Sequence, residues 1–251
     1  EKNRRKIGWL MRKGISVIVG IIFLLATIVF LYLAFNEAKY SIDTKEKNKA
    51  IREVVVTEDE NNPLNRKIDF HKLKNENKDI VAWIYIPGTT VDYPILIGDT
   101  NEEYLYKDLE GNYNPLGSIF SDAKKDLSED HIKIYGHNMR EFQMFGELRK
   151  FLNKEYMEQH EKFYIYTENK TMECDIFSIF ICDIYDSFFS NNPGSDLVEV
   201  LENKNVNSNY YTKNKDLSSG KVFSLVTCNG VEGTVERLVV NGIVTKQKIM
   251  F

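Results

Sequence analysis

From Ile15 to Phe35 the chain runs for 21 residues without a charged side chain. At roughly 1.5 Å of rise per residue, a helix over this run spans a hydrocarbon layer of ~30 Å. Lys2, Arg4, Arg5, Lys6, Arg12 and Lys13 precede it against a single acid, Glu1. A basic flank of this kind stays in the cytoplasm and sends the downstream chain outside. A cleaved signal peptide is the rival reading; its apolar core is usually about 7–15 residues and ends at a small-residue site. Here the run ends Tyr32-Leu33-Ala34-Phe35-Asn36, a poor site. The expectation is a basic cytoplasmic tail over 1–13 and a transmembrane anchor over 14–36, with Trp9, Tyr32 and Tyr40 suited to the interfaces.

The rest of the chain must fold in water. From 37 to 66 it is polar and charged: a helical pattern over Glu37–Val56, then a loop to Asn65 broken by Asn61-Asn62-Pro63. This reads as a stalk, and 67–251 as one domain of moderate size. The 251 residues carry a net charge of −4 with both signs mixed, so no basic stripe points to nucleic acid. Fourteen Tyr and fifteen Phe suit a β-rich core.

A helical pattern covers Ile68 to Asn77. Strand signals then succeed one another. Ile80–Ile86 stops at Pro87-Gly88 and Val91–Ile97 at Gly98-Asp99, a hairpin pattern. Asn101–Leu109 reads as one or two helical turns, Gly117–Ser121 and Ile132–Tyr135 as short strands, and Glu141–Leu152 and Lys154–Glu161 as helices. Phe163–Thr167 and Met172–Ile184 form a strand pair joined at Glu168-Asn169-Lys170. Asp186 to Gly220 is a long polar excursion with a helical pattern at Leu197, Val200 and Leu201; such excursions are usually functional or mobile. Val222–Thr227 and Glu236–Thr245 are the last strands. The class is therefore mainly β with peripheral helices. About eight strands fit a closed barrel or a sandwich equally well.

Three cysteines are too few for a disulfide framework. Cys174 and Cys182 lie on one strand pattern, which separates them by roughly 26 Å if it is continuous. Only a bend would let them pair, and two buried thiols is the plainer reading. Cys228 differs. It ends the apolar run Val222–Thr227 and is followed by Asn229-Gly230, so the strand delivers it to solvent. His137 follows the strand Ile132–Tyr135 and a glycine, whereas His71, His131 and His160 sit among charged residues and read as surface positions. Arg237 opens the apolar run Leu238-Val239-Val240; its ordinary role would be an ion pair with Glu232 or Glu236. A thiol, an imidazole and a guanidinium at strand ends are also the parts of a thiol acyl-transfer site.

These residues resemble the sortases, cysteine transpeptidases that attach proteins to Gram-positive cell walls. That family has a Thr-Leu-x-Thr-Cys strand end, an upstream His and an Arg on the strand after the Cys. The corresponding segment here is Ser224-Leu225-Val226-Thr227-Cys228, with Ser in the first place. Class B features are matched by Ala82-Trp83-Ile84-Tyr85-Ile86-Pro87-Gly88-Thr89, Val91-Asp92-Tyr93-Pro94-Ile95, Gly117-Ser118-Ile119-Phe120, Gly136-His137-Asn138-Met139 and Met144-Phe145-Gly146. The resemblance covers about Phe70 to Lys246.

The resemblance implies an eight-stranded sortase barrel preceded by the membrane helix. It implies Cys228 as nucleophile, His137 as proton carrier and Arg237 as substrate and oxyanion holder. Asn101 and Leu105 would line the substrate groove, with Thr227 beside the nucleophile. Substrates would be secreted proteins bearing a C-terminal sorting signal, and the acceptor a peptidoglycan amine. No cofactor and no metal site is expected: the histidines are scattered, and there is no Cys-x-x-Cys or His-x-x-x-His. Two departures bear on specificity: Val226 stands where class B often has Ser, and Asn229 where an acid is sometimes found. The rival readings are a thiol hydrolase on the same fold and a catalytically silent, membrane-tethered binding domain.

Overall fold

The strand and turn signals that begin at Ile80 produce a sheet that closes on itself. The structure, a computed structural model, describes residues 2–57, 62–100, 102–122, 127–139, 141–189, 211–212, 220–230 and 233–250. Among them the barrel strands are β1 (Ile80–Tyr85), β2 (Asp92–Leu96), β3 (Phe120–Ser121), β4 (His131–Tyr135), β5 (Lys162–Tyr166), β6 (Lys170–Asp183), β7 (Val222–Cys228) and β8 (Glu236–Ile249). Around the ring the order is β1-β2-β3-β4-β7-β8-β6-β5 and back to β1. The long β6–β8 ladder closes it, which settles barrel over sandwich. Two joints are parallel, β2 with β3 and β4 with β7; the others are antiparallel. Tyr211–Thr212 adds a short strand against Ser178 and Ile179 of β6.

Alternation sorts the side chains. Phe223, Leu225, Leu238, Val240, Ile132 and Ile134 point into the barrel and share one buried cluster. Val222, Val226 and Val239 point outward, into a second cluster with Phe177, Phe180 and Phe188. In β6 the register slips between Asn241 and Gly242 of its partner, so the strand carries a bulge at Phe177. That bulge flips the parity of the strand. Cys174 lies inside the barrel and Cys182 in the outer cluster, although eight positions would otherwise leave them on one face. Neither is joined in a disulfide.

The chain divides into two units, residues 1–44 and 45–251. Helix α1 (Lys2–Val55) runs through the first without a break; no Gly or Pro stands between Asn36 and Val55 to stop it. In that unit the side chains of the Ile15–Phe35 run are exposed, Phe23 and Phe30 among the most. Among the described residues this is one helix long and apolar enough to cross a membrane by length and composition.

In the second unit the last turns of α1 and the segment after it pack on the hairpin β1–β2. Arg66, 2 % exposed, donates to Asp92 Oδ2 at 2.7 Å and lies over the Tyr85 ring at 4.1 Å. Trp83 Nε1 donates to Asp92 Oδ1 at 2.6 Å, and Arg52 reaches Oδ2 at 3.4 Å. Arg66, Trp83 and Arg52 thus satisfy the oxygens of this buried carboxylate. It gives the Val91-Asp92-Tyr93 motif a structural role. Helix α2 (Phe70–Glu76) starts at Asp69, whose Oδ1 accepts from Lys72 N at 3.0 Å.

Three sequence expectations are corrected. The Asn101–Leu109 turns reduce, among the described residues, to a 3-10 turn over Glu103–Leu105, and the Gly117–Ser121 strand to Phe120–Ser121. The helix expected from Glu141 begins only at Gly146, as a 3-10 helix to Leu152. Phe142 and Met144 take left-handed backbone angles, and Met144 bridges Asn138, so this stretch folds back on the chain after β4 and does not wind. Helix α3 (Lys154–Gln159) forms as expected. The helical pattern at Leu197, Val200 and Leu201 lies outside the described residues.

Candidate active site

Cys228 is the last residue of β7, and its register partner on β8 is Arg237. On the other side β7 runs parallel to β4, with Val226 opposite Tyr135. Two residues further along both strands this register brings His137 level with Cys228. Gly136 N extends the ladder by donating to Val226 O at 3.2 Å. Neighbouring strands lie roughly 4.8 Å apart, and register partners share a face. His137, Cys228 and Arg237 thus stand in a row across three adjacent strand ends. All three are partly exposed.

Each member of the row is held by its own contacts. Gly136 has no room for a side chain: a Cβ there would come within 2.4 Å of Ile119 Cδ1 and 2.9 Å of Phe145. Its carbonyl accepts from Thr227 Oγ1 at 2.8 Å, tying the His137 loop to the Cys228 strand. Asn138 Nδ2 donates to Cys228 O and Gly230 O, both at 3.0 Å, a second tie between the same two segments. His137 Nε2 lies 2.9 Å from Leu105 O, and the Tyr106 ring sits 6.1 Å from the imidazole. Because a carbonyl only accepts, Nε2 is the donor.

Arg237 Nη1 donates to Thr234 O and Glu236 O, so backbone carbonyls hold one edge of the guanidinium. The Glu236 carboxylate is taken instead by Asn229 Nδ2 at 2.9 Å. The ion pair with Glu236 does not form, and Glu232 lies outside the described residues. Among the described residues no hydrogen bond engages Nη2 or Nε, the donors on the other edge of the group.

The remaining expectations divide. Leu105, expected to line a substrate groove, stands beside His137 through its carbonyl. Thr227 adjoins Cys228, but it is 2 % exposed and its hydroxyl is committed to Gly136 O. Asn101 lies outside the described residues.

Sequence reasoning missed a polar cluster lower on the same strands. His131, expected at the surface, turns Nε2 inward to Ser224 Oγ at 2.8 Å. Ser224 in turn donates to Asn241 Oδ1 at 2.5 Å, which spends its only proton, so His131 Nε2 must donate to Ser224. Burial, reinforced by the Lys133 cation, pushes the imidazole down to about 3. The signal was the register: Val222 pairs with His131, which places Ser224 one step along on the neighbouring strand. Asn138 was also missed, although its motif was noted, because nothing local indicates that its amide spans to the Cys228 segment.

Comparisons with known proteins bear on the family and the fold. Residues 84–244 match the family model described as a sortase domain. Sortase B of Listeria monocytogenes is 30% identical over 184 residues, covering 71% of this chain and 75% of that protein. Sortase B of B. anthracis superposes with a TM-score of 0.71 at 25% identity, over 83% of this chain and 99% of that one. A Staphylococcus aureus sortase B–substrate complex gives 0.65 at 27% identity, over 71% and 85%.

Proposed function

The chain belongs to the sortase family, with class B enzymes as its relatives, and is a cysteine transpeptidase; on that premise we propose that Cys228 is the nucleophile, His137 the proton carrier and Arg237 the holder of substrate and oxyanion. The observation that supports this most is the row of three strand ends, with Cys228 flanked by His137 through the β4–β7 register and by Arg237 through the β7–β8 register.

The reaction starts from a Cys228 thiolate and a His137 imidazolium. Sγ bonds to the carbonyl carbon of the scissile peptide, and the carbonyl oxygen becomes an oxyanion within reach of the Arg237 donors. The C–N bond breaks as His137 passes a proton to the departing amine, leaving a thioester on Cys228. An incoming amine then bonds to the acyl carbon, neutral His137 accepts its proton, and the C–S bond breaks. Thiolate and imidazolium are restored.

The substrates are secreted proteins with a C-terminal sorting signal cut after Thr, and the acceptor is a peptidoglycan amine. Leu105 lines the groove. Asn101 completes it, and Thr227 supports Cys228 from within the strand through its bond to Gly136 O. The enzyme works outside a membrane it is tethered to: 1–13 is the cytoplasmic tail, 14–36 the span, 37–66 the stalk and 67–251 the catalytic domain. The uncharged run and the basic residues before it support that orientation.

The test is intact-protein mass spectrometry of the full chain in detergent, incubated with a library of Thr-containing peptides. A mass increase matching the acyl half of one peptide, localised to Cys228 by digestion, is the expected result. No adduct with any peptide, or an adduct on Cys174 or Cys182 alone, rejects the assignment.

A further inference from the structure

The Gly117-Ser118-Ile119-Phe120 motif has no part in the acyl-transfer steps, although Gly117 lies against the backbone that touches His137. We propose that the Leu105 carbonyl is a positioning group for His137, and that Gly117 is the residue that makes room for it. This deepens the proton-carrier role of His137 and rests on it.

The geometry begins at the 3-10 turn Glu103–Leu105. Tyr104 O accepts from Ser118 N at 3.0 Å and Tyr106 O from Asn114 N at 2.9 Å. Between them, Leu105 O accepts from His137 Nε2 at 2.9 Å. The chain returns past this carbonyl at Gly117, whose φ is +57° and whose N–H donates to Asn114 O at 3.0 Å. A Cβ on Gly117 would stand 2.4 Å from Leu105 O and 2.7 Å from Tyr104 O. Both obstacles are backbone, so they cannot swing aside as a side chain would. A left-handed φ also penalises any other residue. Any side chain at 117 therefore has to push the Leu105 carbonyl off its line to His137.

The consequence is chemical. With Nε2–H committed to Leu105 O, the neutral ring carries its lone pair on Nδ1, and among the described residues no hydrogen bond engages Nδ1. Nδ1 is then the atom that gives its proton to the departing amine and takes one from the incoming amine. Nε2–H is retained throughout, and Leu105 O also stabilises the imidazolium between the two half-reactions. A buried carboxylate is the commoner orienter of a catalytic histidine. Here a backbone carbonyl fills that place.

Two measurements on the full chain in detergent test this. First, histidine side chains are labelled with 15N, and the His137 signals are assigned by their loss in His137→Gln. The neutral ring of the wild type should be a single Nε2–H tautomer, with an exchange-protected proton showing a nuclear Overhauser contact to Gly117 or Leu105. An Nδ1–H ring, or a mixture of tautomers with a freely exchanging proton, overturns the proposal. Second, Gly117→Ala should keep its thermal transition, lose that protected proton, and lose turnover by about 10²-fold, the scale of a misplaced catalytic group. A folded Gly117→Ala with wild-type spectrum and rate overturns it equally. If Gly117→Ala does not fold, the wild-type spectrum decides alone. Failure of the Cys228 assignment shows elsewhere, as an absent acyl adduct in the wild type.

Discussion

Cys228 and Arg237 face each other across the last rung of the β7–β8 ladder. In an antiparallel pair, opposed residues share a face and their Cβ atoms lie about 5 Å apart. The strand pairing itself therefore starts the Arg237 and Cys228 side chains next to each other on one face. Arg237 Nη1 is spent on Thr234 O and Glu236 O, which fixes the plane of the group. Lys offers a single ammonium and cannot hold two loop carbonyls while also presenting a planar edge to an oxyanion. Arg237→Lys and Arg237→Ala should each lose on the order of 10²-fold in kcat while the fold survives. Near-normal turnover of Arg237→Lys, measured by peptide cleavage, would mean that positive charge alone suffices.

The three thiols should separate cleanly under an alkylating reagent. Cys228 is partly exposed, whereas Cys174 and Cys182 are buried. Burial, with Asp175 and Glu173 nearby, pushes the Cys174 thiol well up, which starves it of thiolate. Brief treatment of the folded enzyme should modify Cys228 and abolish turnover. Cys174→Ala and Cys182→Ala should stay active and lose stability only. Peptide mapping that finds Cys174 modified at a similar rate would contradict its place inside the barrel.

His131 gives a pH dependence of stability with a definite sign. Its folded pKa, about 3, lies below the ordinary histidine value of about 6.5. Between those values the unfolded chain binds a proton that the folded protein refuses. The contribution is complete above pH ~6.5 and is lost as pH falls towards about 3. Thermal unfolding of the wild type and His131→Gln, compared from pH 7 to 4, should show a steeper loss in the wild type. The difference removes the carboxylates common to both. Parallel curves would show that burial and the Lys133 cation do not hold the ring neutral.

Much of this site was readable because its signals are local. The strand end at Cys228, the Asn229-Gly230 turn and the apolar run after Arg237 lie within one hairpin, and hairpin register follows from such signals. The β1–β2 hairpin was readable for the same reason. His137 was found by its motif, but its place beside Cys228 depends on a parallel β4–β7 joint between segments some ninety residues apart, which no local pattern encodes. The same joint buries His131 against Ser224, so neighbours such as Glu129 and Asp130 misled. The bulge at Phe177 breaks the period-two rule and puts Cys174 and Cys182 on opposite faces of β6, while both stay buried and unbridged as expected. The left-handed backbone at Phe142 and Met144 is imposed by the bridge to Asn138, against the three- and four-residue spacing of Phe142, Phe145 and Leu148.

The last prediction concerns what resolves the thioester on Cys228. Water is far more abundant than any amine, so a transpeptidase needs an amine held against the acyl carbon; such placement can act like a very high local concentration. His137 must then accept a proton from that amine. Its Nε2 is occupied by Leu105 O, so only Nδ1 can receive it. Adding a glycine peptide, or a stem peptide containing diaminopimelate, at millimolar concentration should yield a new amide-linked product. Turnover should also rise if thioester resolution limits the rate. Product masses distinguish the outcomes: amide with one amine and acid with the other identifies the acceptor class. Free acid alone with both amines, and with intact cell-wall precursor, would make the enzyme a hydrolase that keeps the sortase fold.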